Sequence, residues 1–423
     1  MKRVFLFCIY LILTGCSEKK PERKYPVIDV GSSAGDYRRA YCSDFLSSIE
    51  LIPLEMNHNS LIAQNPTISV HDSLIFVWSI ISYSNLPMIS DLHVFNLSGK
   101  FKNKIGGIGQ GPGEYPGILS FFINHNKSTV YIYDGRNIHE YTFNGKFIGS
   151  FRLPRPNDKP LDNISHLEND LFVGSLPYRY GNTNNYCLFD RTGNIVKWFP
   201  SRYFNDNDML FLPMWLSAGK TFRIDSDLHV KDFVNDTIYA ITSSNLQPAY
   251  VFDFGKYAYP LEKINDEGKI KIKPVDRDDA NRLYMYIREI FGTQKYLFYS
   301  TYIPSILPRP KSRPFFLNDS EIPQDQFVRG IYNIAVNTNI LLDTDKYLQN
   351  GLVNDMNGGL SFFPKYYAGD NVVVDIWQAH NMKEILTEEY FSTIKIKDQQ
   401  AHQKLRDLLK TLKEDDNPVV VIA

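Results

Sequence analysis

The stretch His139-Glu140-Tyr141-Thr142-Phe143-Asn144-Gly145-Lys146-Phe147 has the pattern of a strand, a tight turn and a second strand. Asn144-Gly145 is a strong hairpin signal, because glycine adopts a positive φ cheaply and asparagine tolerates it. Residues 93–101 and 187–195 repeat this pattern around Gly99 and Gly193. In each copy an aromatic residue stands four positions before the glycine and an apolar residue two positions after it. These residues are Phe95, Tyr141 and Phe189, followed by Phe101, Phe147 and Ile195.

The spacing of this repeat predicts the fold. The three glycines are 46 and 48 residues apart, and another strand precedes each hairpin, at 73–79, 129–134 and 171–176. Four strands in about 40–50 residues is the period of a β-propeller blade. Less regular segments supply a fourth blade (230–240 with 250–254), a fifth (starting at 287–302) and a sixth (326–333 with 371–378). The span from 46 to 380 accommodates six or seven blades, and these segments favour six.

Both ends of the propeller region carry their own signals. The apolar strand 49–54 has no hairpin partner nearby, so we expect it to pair with the last blade and close the ring, which removes open sheet edges. Ala401, Leu405, Leu408, Leu409 and Leu412 lie on one face of a helix from about 398 to 413. We expect this helix to pack on the propeller; binding of a partner is the alternative. Residues 419–422 follow as a short buried strand. The predicted class is all-β, a six-bladed β-propeller with an appended helix.

Composition agrees with this class and excludes others. The chain has 423 residues, of which 43% are hydrophobic and 14% aromatic, so it is not a disordered chain. Lys and Arg number 46 against 47 Asp and Glu, and this balance gives no support for nucleic-acid binding.

The first residues form a targeting signal. A cationic start precedes the apolar run 4–13, which is too short to span a bilayer and fits a secretory signal. Leu13-Thr14-Gly15-Cys16 resembles a bacterial lipobox, which implies cleavage before Cys16 and lipidation of Cys16; an ordinary signal peptide is the alternative. We therefore expect a signal at 1–15, a tether at 16–44 and the propeller at 45–423. The protein would be anchored by its lipid in the bacterial cell envelope, on the periplasmic or the surface face. Cys42 and Cys187 are expected to be buried and unpaired.

A glycine-rich loop at 106–115 is the most unusual local feature. It lacks a Gly-Lys-Ser/Thr sequence and leads into a strand, so it does not fit a nucleotide cradle. We interpret it as a loop between blades. A ligand loop at the mouth of the central channel is the alternative, with Gln110, Glu114 and Tyr115 as candidate residues. In it Glu114 would accept hydrogen bonds and Tyr115 would stack on a sugar or peptide.

Several motifs together resemble a known family. Four motifs occur in a fixed order along the chain: Ile105-Gly106, Gly-Gln-Gly-Pro-Gly-Glu-Tyr at 109–115, Asn-Asp-Met-Asn-Gly-Gly at 354–359 and Asp-Asp-Asn-Pro-Val at 415–419. The chain thereby resembles a family of six-bladed β-propeller lipoproteins of unknown function, related in shape to NHL-repeat and TolB-like propellers. The resemblance extends from about Phe45 to residue 423. It implies a propeller and an envelope location, and it supplies no catalytic residues.

No catalytic or metal motif stands out. The nine histidines lack the zinc spacing, and His93 and His139 occupy equivalent repeat positions, where we expect a structural role. We therefore predict no catalytic residues, no metal and no cofactor. Two hypotheses remain open: a non-catalytic binding or scaffolding module for an envelope protein, peptide or glycan, and a propeller hydrolase or lyase with a metal or carboxylate site in the channel. Converging Asp, Glu and His on the axis would favour the enzyme; aromatic residues there would favour binding.

Overall fold

A computed structural model describes residues 25–423, apart from 64, 82–88, 125, 177–183, 201–202, 205–218, 233–234, 264–269, 273–278, 280–281, 311–326, 344–350 and 370. The described chain is mostly β and forms several sheets in a propeller-like arrangement. The predicted signal, Cys16 and residues 17–24 of the tether lie outside the described residues. Among those residues no helix is both long and apolar enough to cross a membrane.

Antiparallel four-stranded units form most of the structure, and we number them I to VI along the chain. Two short strands, β1 (Val27–Asp29) and β2 (Tyr37–Arg38), and then β3 (Glu50–Pro53) precede them. Unit I contains β4 (Thr67–His71), β5 (Leu74–Ile81), β6 (Ile89–Asn96) and β7 (Phe101–Lys104). Unit II contains β8 (Ser120–Asn124), β9 (Thr129–Tyr133), β10 (Asn137–Thr142) and β11 (Phe147–Arg152). Unit III contains β12 (Asp162–Glu168), β13 (Leu171–Ser175), β14 (Asn184–Asp190) and β15 (Ile195–Pro200).

The later units follow the same order. After β16 (Tyr203–Phe204), unit IV contains β17 (Lys220–Ile224), β18 (Asp227–Lys231), β19 (Thr237–Ile241) and β20 (Leu246–Asp253). Strands β21 (Leu261–Lys263) and β22 (Ile270–Ile272) form a small sheet with β16. Unit V contains β23 (Tyr286–Gly292), β24 (Tyr296–Tyr302), β25 (Phe327–Asn333) and β26 (Thr338–Leu342). Unit VI contains β27 (Tyr366–Gly369), β28 (Val372–Trp377), β29 (Val419–Ile422) and the early strand β3.

The helices whose bounds lie within the described residues are outside the units. They are α1 (Cys42–Phe45), α2 (Ala379–Ile385), α3 (Glu388–Phe391) and α4 (Gln399–Thr411). Short 3₁₀ turns occur at Pro156–Asp158 and Gly255–Tyr257. Helix α4 confirms the predicted amphipathic helix: the side chain of Asp398 accepts a hydrogen bond from the Ala401 backbone N–H, and Leu405 and Leu412 are buried.

The repeated glycine has two physical causes. All three glycines lie in turns with positive φ, as the hairpin pattern predicts. In addition, each turn touches the preceding outer strand, so a side chain would collide with a backbone carbonyl oxygen. A Cβ would lie 2.0 Å from the Pro53 oxygen at Gly99, 2.7 Å from that of Lys104 at Gly145, and 2.6 Å from that of Arg152 at Gly193. Close contact between neighbouring units therefore fixes glycine at the same repeat position.

The repeated aromatic residues fill the spaces between units. Phe95, Tyr141 and Phe189 are fully buried. Each pairs across its hairpin with the apolar residue two positions after the glycine, directly beside a register shift. These aromatic positions of the repeat therefore serve packing between neighbouring units.

The unit that contains β3 joins two distant parts of the chain. Strand β29 pairs antiparallel with β28 on one side and with β3 on the other, with Val420 opposite Ile52. This confirms the expected pairing of the early strand with the last blade. Strands β28, β29 and β3 contribute apolar residues to the cores on both sides of this unit, and β27 contributes to one of them.

Two predictions about boundaries need correction. Strand β25 was expected to frame a sixth blade, but it pairs along its whole length with β24 and belongs to unit V. The long segment between these strands hides their pairing from the sequence pattern. Residues 25–44 were expected to be tether, but β1 pairs with β20 and β2 with β26. Ile28 and Val30 are fully buried there, because their apolar side chains complete the core between units IV and V.

The Asn-Asp-Met-Asn-Gly-Gly motif at 354–359 links separate parts of the chain. The Asp355 carboxylate accepts a hydrogen bond from the Ser43 hydroxyl at 2.6 Å and lies 2.9 Å from the Lys397 ammonium. Nδ1 of His402, on α4, lies 2.8 Å from the Asn357 carbonyl oxygen. The motif therefore holds the segment before β3 and the terminal helix against the same core. Cys42 and Cys187 are buried and unpaired, as predicted.

Candidate functional site

The three predicted ligand-loop residues lie in the loop between β7 and β8. Gln110 and Glu114 are exposed, whereas Tyr115 is only 1% exposed. The Tyr115 hydroxyl donates to the Ile105 carbonyl oxygen at 2.8 Å, and its ring packs in the core between units I and II. Tyr115 is therefore not placed to stack on a ligand; it anchors the loop.

The glycines of this loop serve its own packing. The Glu114 carboxylate accepts the Gly111 backbone N–H at 2.8 Å, and a Cβ at Gly109 would lie 1.9 Å from that carboxylate. A Cβ at Gly106 would lie 2.7 Å from the Tyr115 ring. The loop thus folds around Glu114 and Tyr115, which agrees with the interpretation as a connection between blades.

A different region of the described chain forms the candidate site. The first strands of units I to VI contact one another in a closed cycle: β4 with β8, then β12, β17, β23 and β27, which returns to β4. A cavity of about 550 Å³ lies inside this cycle, and every one of these strands contributes to its wall. The size falls within the range of small-molecule sites, roughly 300–1,000 Å³. We call this cavity the central channel.

Aromatic rings form much of the channel wall. They come from four of the inner strands and from the residues just before β27; the list includes Phe121, Phe122, Phe222, Phe291, Phe363 and Tyr366. Some of these rings are only partly buried, so their remaining surface is available to an occupant. Aromatic faces provide large apolar contact area at a small cost in conformational entropy.

Strand β17 places two cations in the wall. Ile224, at the end of β17, pairs in parallel with Gly292 on β23, which places Lys220 level with Arg288. The Lys220 ammonium donates a hydrogen bond to the Arg288 carbonyl oxygen. The Arg223 guanidinium donates to the His166 carbonyl oxygen at 2.9 Å and to that of Ser226. Burial lowers the pKa of Lys220 and of Arg223. The carboxylates of Glu289 and Asp227, respectively, oppose this fall, and both side chains remain cations at neutral pH.

The remaining channel charges lie on units V and VI. Glu289 lies in the wall with its side chain 67% exposed, which shows that solvent reaches this part of the channel. The Lys365 ammonium lies 3.2 Å from the buried Asp375 carboxylate. Asp375 also accepts a hydrogen bond from the Phe363 backbone N–H at 3.1 Å, so this carboxylate bonds to groups of the wall itself.

Polar groups on unit III complete the wall. The Ser165 and Thr221 hydroxyls are 2.6 Å apart and join β12 to β17. Burial, assisted by Arg223 and Lys127, lowers the pKa of His166, so this imidazole is neutral at physiological pH. Its Nε2 lies 2.7 Å from the Asn169 carbonyl oxygen.

The two repeat histidines are structural. His139 Nε2 lies 2.8 Å from the Asp134 carboxylate. Burial alone would raise the pKa of Asp134, but hydrogen bonds from His139 and two backbone N–H groups outweigh it and hold the pKa at about 2. His93 is 2% exposed, and burial together with Lys104 lowers its pKa to about 4. Within the described residues no cluster of three or more His, Cys, Asp or Glu side chains could hold a metal ion.

Sequence reasoning missed the channel residues. Lys220, Arg223 and Glu289 stand in ordinary strands of alternating pattern, and no local spacing links them. The usable signal was the repeat itself, because the first strand of every blade lines the axis of a propeller.

Comparison with known proteins finds a solved structure that shares the fold of this chain. No curated protein is similar to the chain at a significant level. A solved structure from Bacteroides fragilis NCTC 9343, described as an exported protein, is 17% identical with a TM-score of 0.61, covering 94% of this chain and 99% of that chain. The WD40 domain of Neurospora crassa Pan2 is 9% identical with a TM-score of 0.35, covering 71% of each chain. An auxiliary nutrient binding protein of Bacteroides ovatus ATCC 8483 is 7% identical with a TM-score of 0.30, covering 71% of this chain and 76% of that chain.

The first of these similarities shows the fold alone, and the two weaker ones carry no argument about this chain. A family model for a domain of unknown function, DUF4934, matches residues 25–423. The chain belongs to this family of unknown function.

Proposed function

We propose that this protein is a cell-envelope β-propeller that binds a ligand in its central channel and acts as a non-catalytic binding or scaffolding module for a protein, peptide or glycan. One observation carries the proposal: the channel of about 550 Å³ combines partly exposed aromatic rings with fixed cations and hydroxyls. A concave, largely apolar site with a few placed polar groups is the usual form of a binding pocket.

We further propose that units I to VI are the six blades of a closed ring. The cyclic contacts of their first strands and the completion of unit VI by β3 support this number. The family resemblance adds the expectation that the ring is related in shape to NHL-repeat and TolB-like propellers.

The proposed location depends on the first residues of the chain. The apolar run 4–13 and the lipobox-like Leu13-Thr14-Gly15-Cys16 support export and lipid anchoring at Cys16. The similarity to a Bacteroides protein described as exported points the same way. Labelled palmitate should be incorporated into the wild-type protein and not into Cys16→Ala; equal incorporation in both would contradict the anchor.

Ligand binding is tested by blocking the channel. Ser69 lies on β4 in the channel wall, so Ser69→Trp should fill part of the cavity, whereas Ser48→Trp places the same ring at an exposed position. The full-length proteins are purified from envelope membranes in detergent, and co-purifying molecules are identified by native mass spectrometry and cross-linking. We expect the wild type and Ser48→Trp to retain a ligand that Ser69→Trp loses. Identical occupancy in all three folded proteins would contradict a channel site.

A further inference from the structure

The charges of the central channel are unbalanced. Its described wall contains three basic side chains, Lys220, Arg223 and Lys365, and one carboxylate, Glu289. Asp375, behind the wall, neutralises Lys365 at 3.2 Å. The charge that an occupant would meet therefore comes chiefly from Lys220, Arg223 and Glu289, and its sum is positive.

Lys220 and Arg223 are held as cations without carboxylate partners. Among the residues that the structure describes, no carboxylate lies within ion-pair distance of either one. Backbone carbonyl oxygens fix both groups instead: that of Arg288 for Lys220, and those of His166 and Ser226 for Arg223. Carbonyl groups orient a cation without cancelling its charge. An ammonium has three N–H donors and a guanidinium has five, so each retains donors for a ligand.

The two cations lie apart on β17 and face different neighbours. Three residues separate them on β17, which corresponds to roughly 10 Å along a strand. They also lie on opposite faces of the strand, Lys220 towards unit V and Arg223 towards unit III. A carboxylate bound to one cation therefore leaves the rest of the ligand along the channel, against aromatic rings such as Phe222 and Phe291.

Glu289 adds a negative charge and a hydrogen-bond acceptor to the channel wall. It follows Arg288, the residue level with Lys220, and it opposes the fall in the Lys220 pKa, which places its negative charge near that ammonium. Its charge weakens the attraction of the two cations for any anionic ligand. It also accepts hydrogen bonds from hydroxyl or amide N–H groups on a ligand.

We propose that the central channel recognises a small organic carboxylate, with the anionic group at Lys220 and a ring or apolar body against the aromatic wall. This proposal rests on the proposed channel-binding function and names its ligand class. Glu289 contacts polar groups of the ligand body.

The experiment compares matched acids and neutral analogues by isothermal titration calorimetry with the full-length protein in detergent. The probes are galacturonate with galactose, and N-acetylphenylalanine with its amide; these pairs separate a sugar source from a peptide source of the carboxylate. Inorganic phosphate tests whether an anion binds without an organic body to pack on the aromatic wall. Lys220→Gln removes one cation, Glu289→Gln removes the anion, and Lys100→Gln is the control at an exposed turn.

At least one acid should bind more tightly than its neutral partner and than phosphate. Loss of one charge-assisted contact in Lys220→Gln should weaken that acid by about tenfold or more, because a neutral amide does not replace the ammonium charge. Glu289→Gln should tighten it by about threefold, because a repulsive charge disappears. Lys100→Gln should leave it unchanged, and higher salt should weaken it.

The failures are distinguishable. Equal binding of acid and neutral analogue, or phosphate binding as tight as the acids, overturns the carboxylate inference and leaves channel binding in place. Binding that Lys220→Gln and Glu289→Gln leave unchanged, while circular dichroism shows both to be folded, overturns the assigned residues. If no probe binds and Ser69→Trp matches the wild type in its co-purifying molecules, the proposed function fails as well.

Discussion

A buried ion pair between units II and III offers a quantitative test of the propeller packing. The Glu140 side chain on β10 is 3% exposed and contacts Arg191, which lies in the turn after β14. Glu140 also accepts the Thr129 hydroxyl at 3.0 Å, and the Arg191 guanidinium lies over the Phe151 ring at 5.8 Å. Arg191→Ala would leave the Glu140 carboxylate buried with only a hydroxyl partner.

The expected cost follows from burial. Removing one partner of a buried ion pair typically costs about 3–5 kcal/mol. Arg191 is 33% exposed, so water would enter part of the vacated volume, and we expect the lower end, about 3 kcal/mol. Glu140→Gln combined with Arg191→Ala should recover about 2 kcal/mol, because a neutral amide does not require the lost charge partner.

Urea denaturation followed by circular dichroism measures these differences without screening charges as a salt denaturant would. Lys127→Ala is the matched control: Lys127 pairs with Asp170 at 2.8 Å in the same region, but both side chains are about half exposed, so the loss should stay below about 1 kcal/mol. If Arg191→Ala costs no more than Lys127→Ala, or if Glu140→Gln brings no recovery, the inferred role of this ion pair is refuted.

Three further predictions concern the repeat, the glycine-rich loop and pH. Gly193→Ala should destabilise the protein by about 2 kcal/mol or more, because the new Cβ would collide with the Arg152 carbonyl oxygen and the backbone has a positive φ. Gly149→Ala is the control: its Cβ would point into open space, so the urea midpoint should change little. Tyr115→Phe should cost about 1 kcal/mol by removing one buried hydrogen bond, and channel binding measured by calorimetry should not change; a selective loss of binding would restore its role as a ligand residue. Burial depresses the pKa of His93 to about 4 in the folded state, against 6.5 in the unfolded chain. Between these two pH values the unfolded chain binds more protons than the folded protein. The free energy of unfolding should therefore fall as the pH decreases from 6.5 to 4. In His93→Asn the urea midpoint should depend less on pH over this range; an identical dependence would contradict the effect.

The sequence predicts the parts of the fold that depend on local pattern. The hairpin repeat around Gly99, Gly145 and Gly193 has a fixed period, and helix α4 has a clear apolar face. The closing strand β3 could be predicted because an unpaired apolar strand before a ring of blades needs a partner. In each case the residues that determine the structure lie close together in the sequence or have one available partner.

The sequence fails where distant segments meet. Strand β25 pairs with β24 across an insertion, so its assignment to a sixth blade was wrong. Strand β1 resembles tether because its few apolar residues carry no repeat. Tyr115 looked suitable for stacking, but whether an aromatic ring in a loop is exposed depends on units I and II around it. The channel wall combines Lys220, Glu289 and residues of four other strands, and no sequence spacing records their proximity.

The pairing of β29 with β3 has a consequence for biogenesis. The ladder joins residues 50–53 to residues 419–422, so the last unit cannot form until nearly all of the chain has been synthesised. Contacts between such distant segments form slowly, because a long loop must close before they contribute. During that interval the outer edges of β28 and β3 lack their shared neighbour and are open to pairing with other chains. Once residues 419–422 have paired with both strands, these edges are covered and the intermediate is no longer exposed to such pairing.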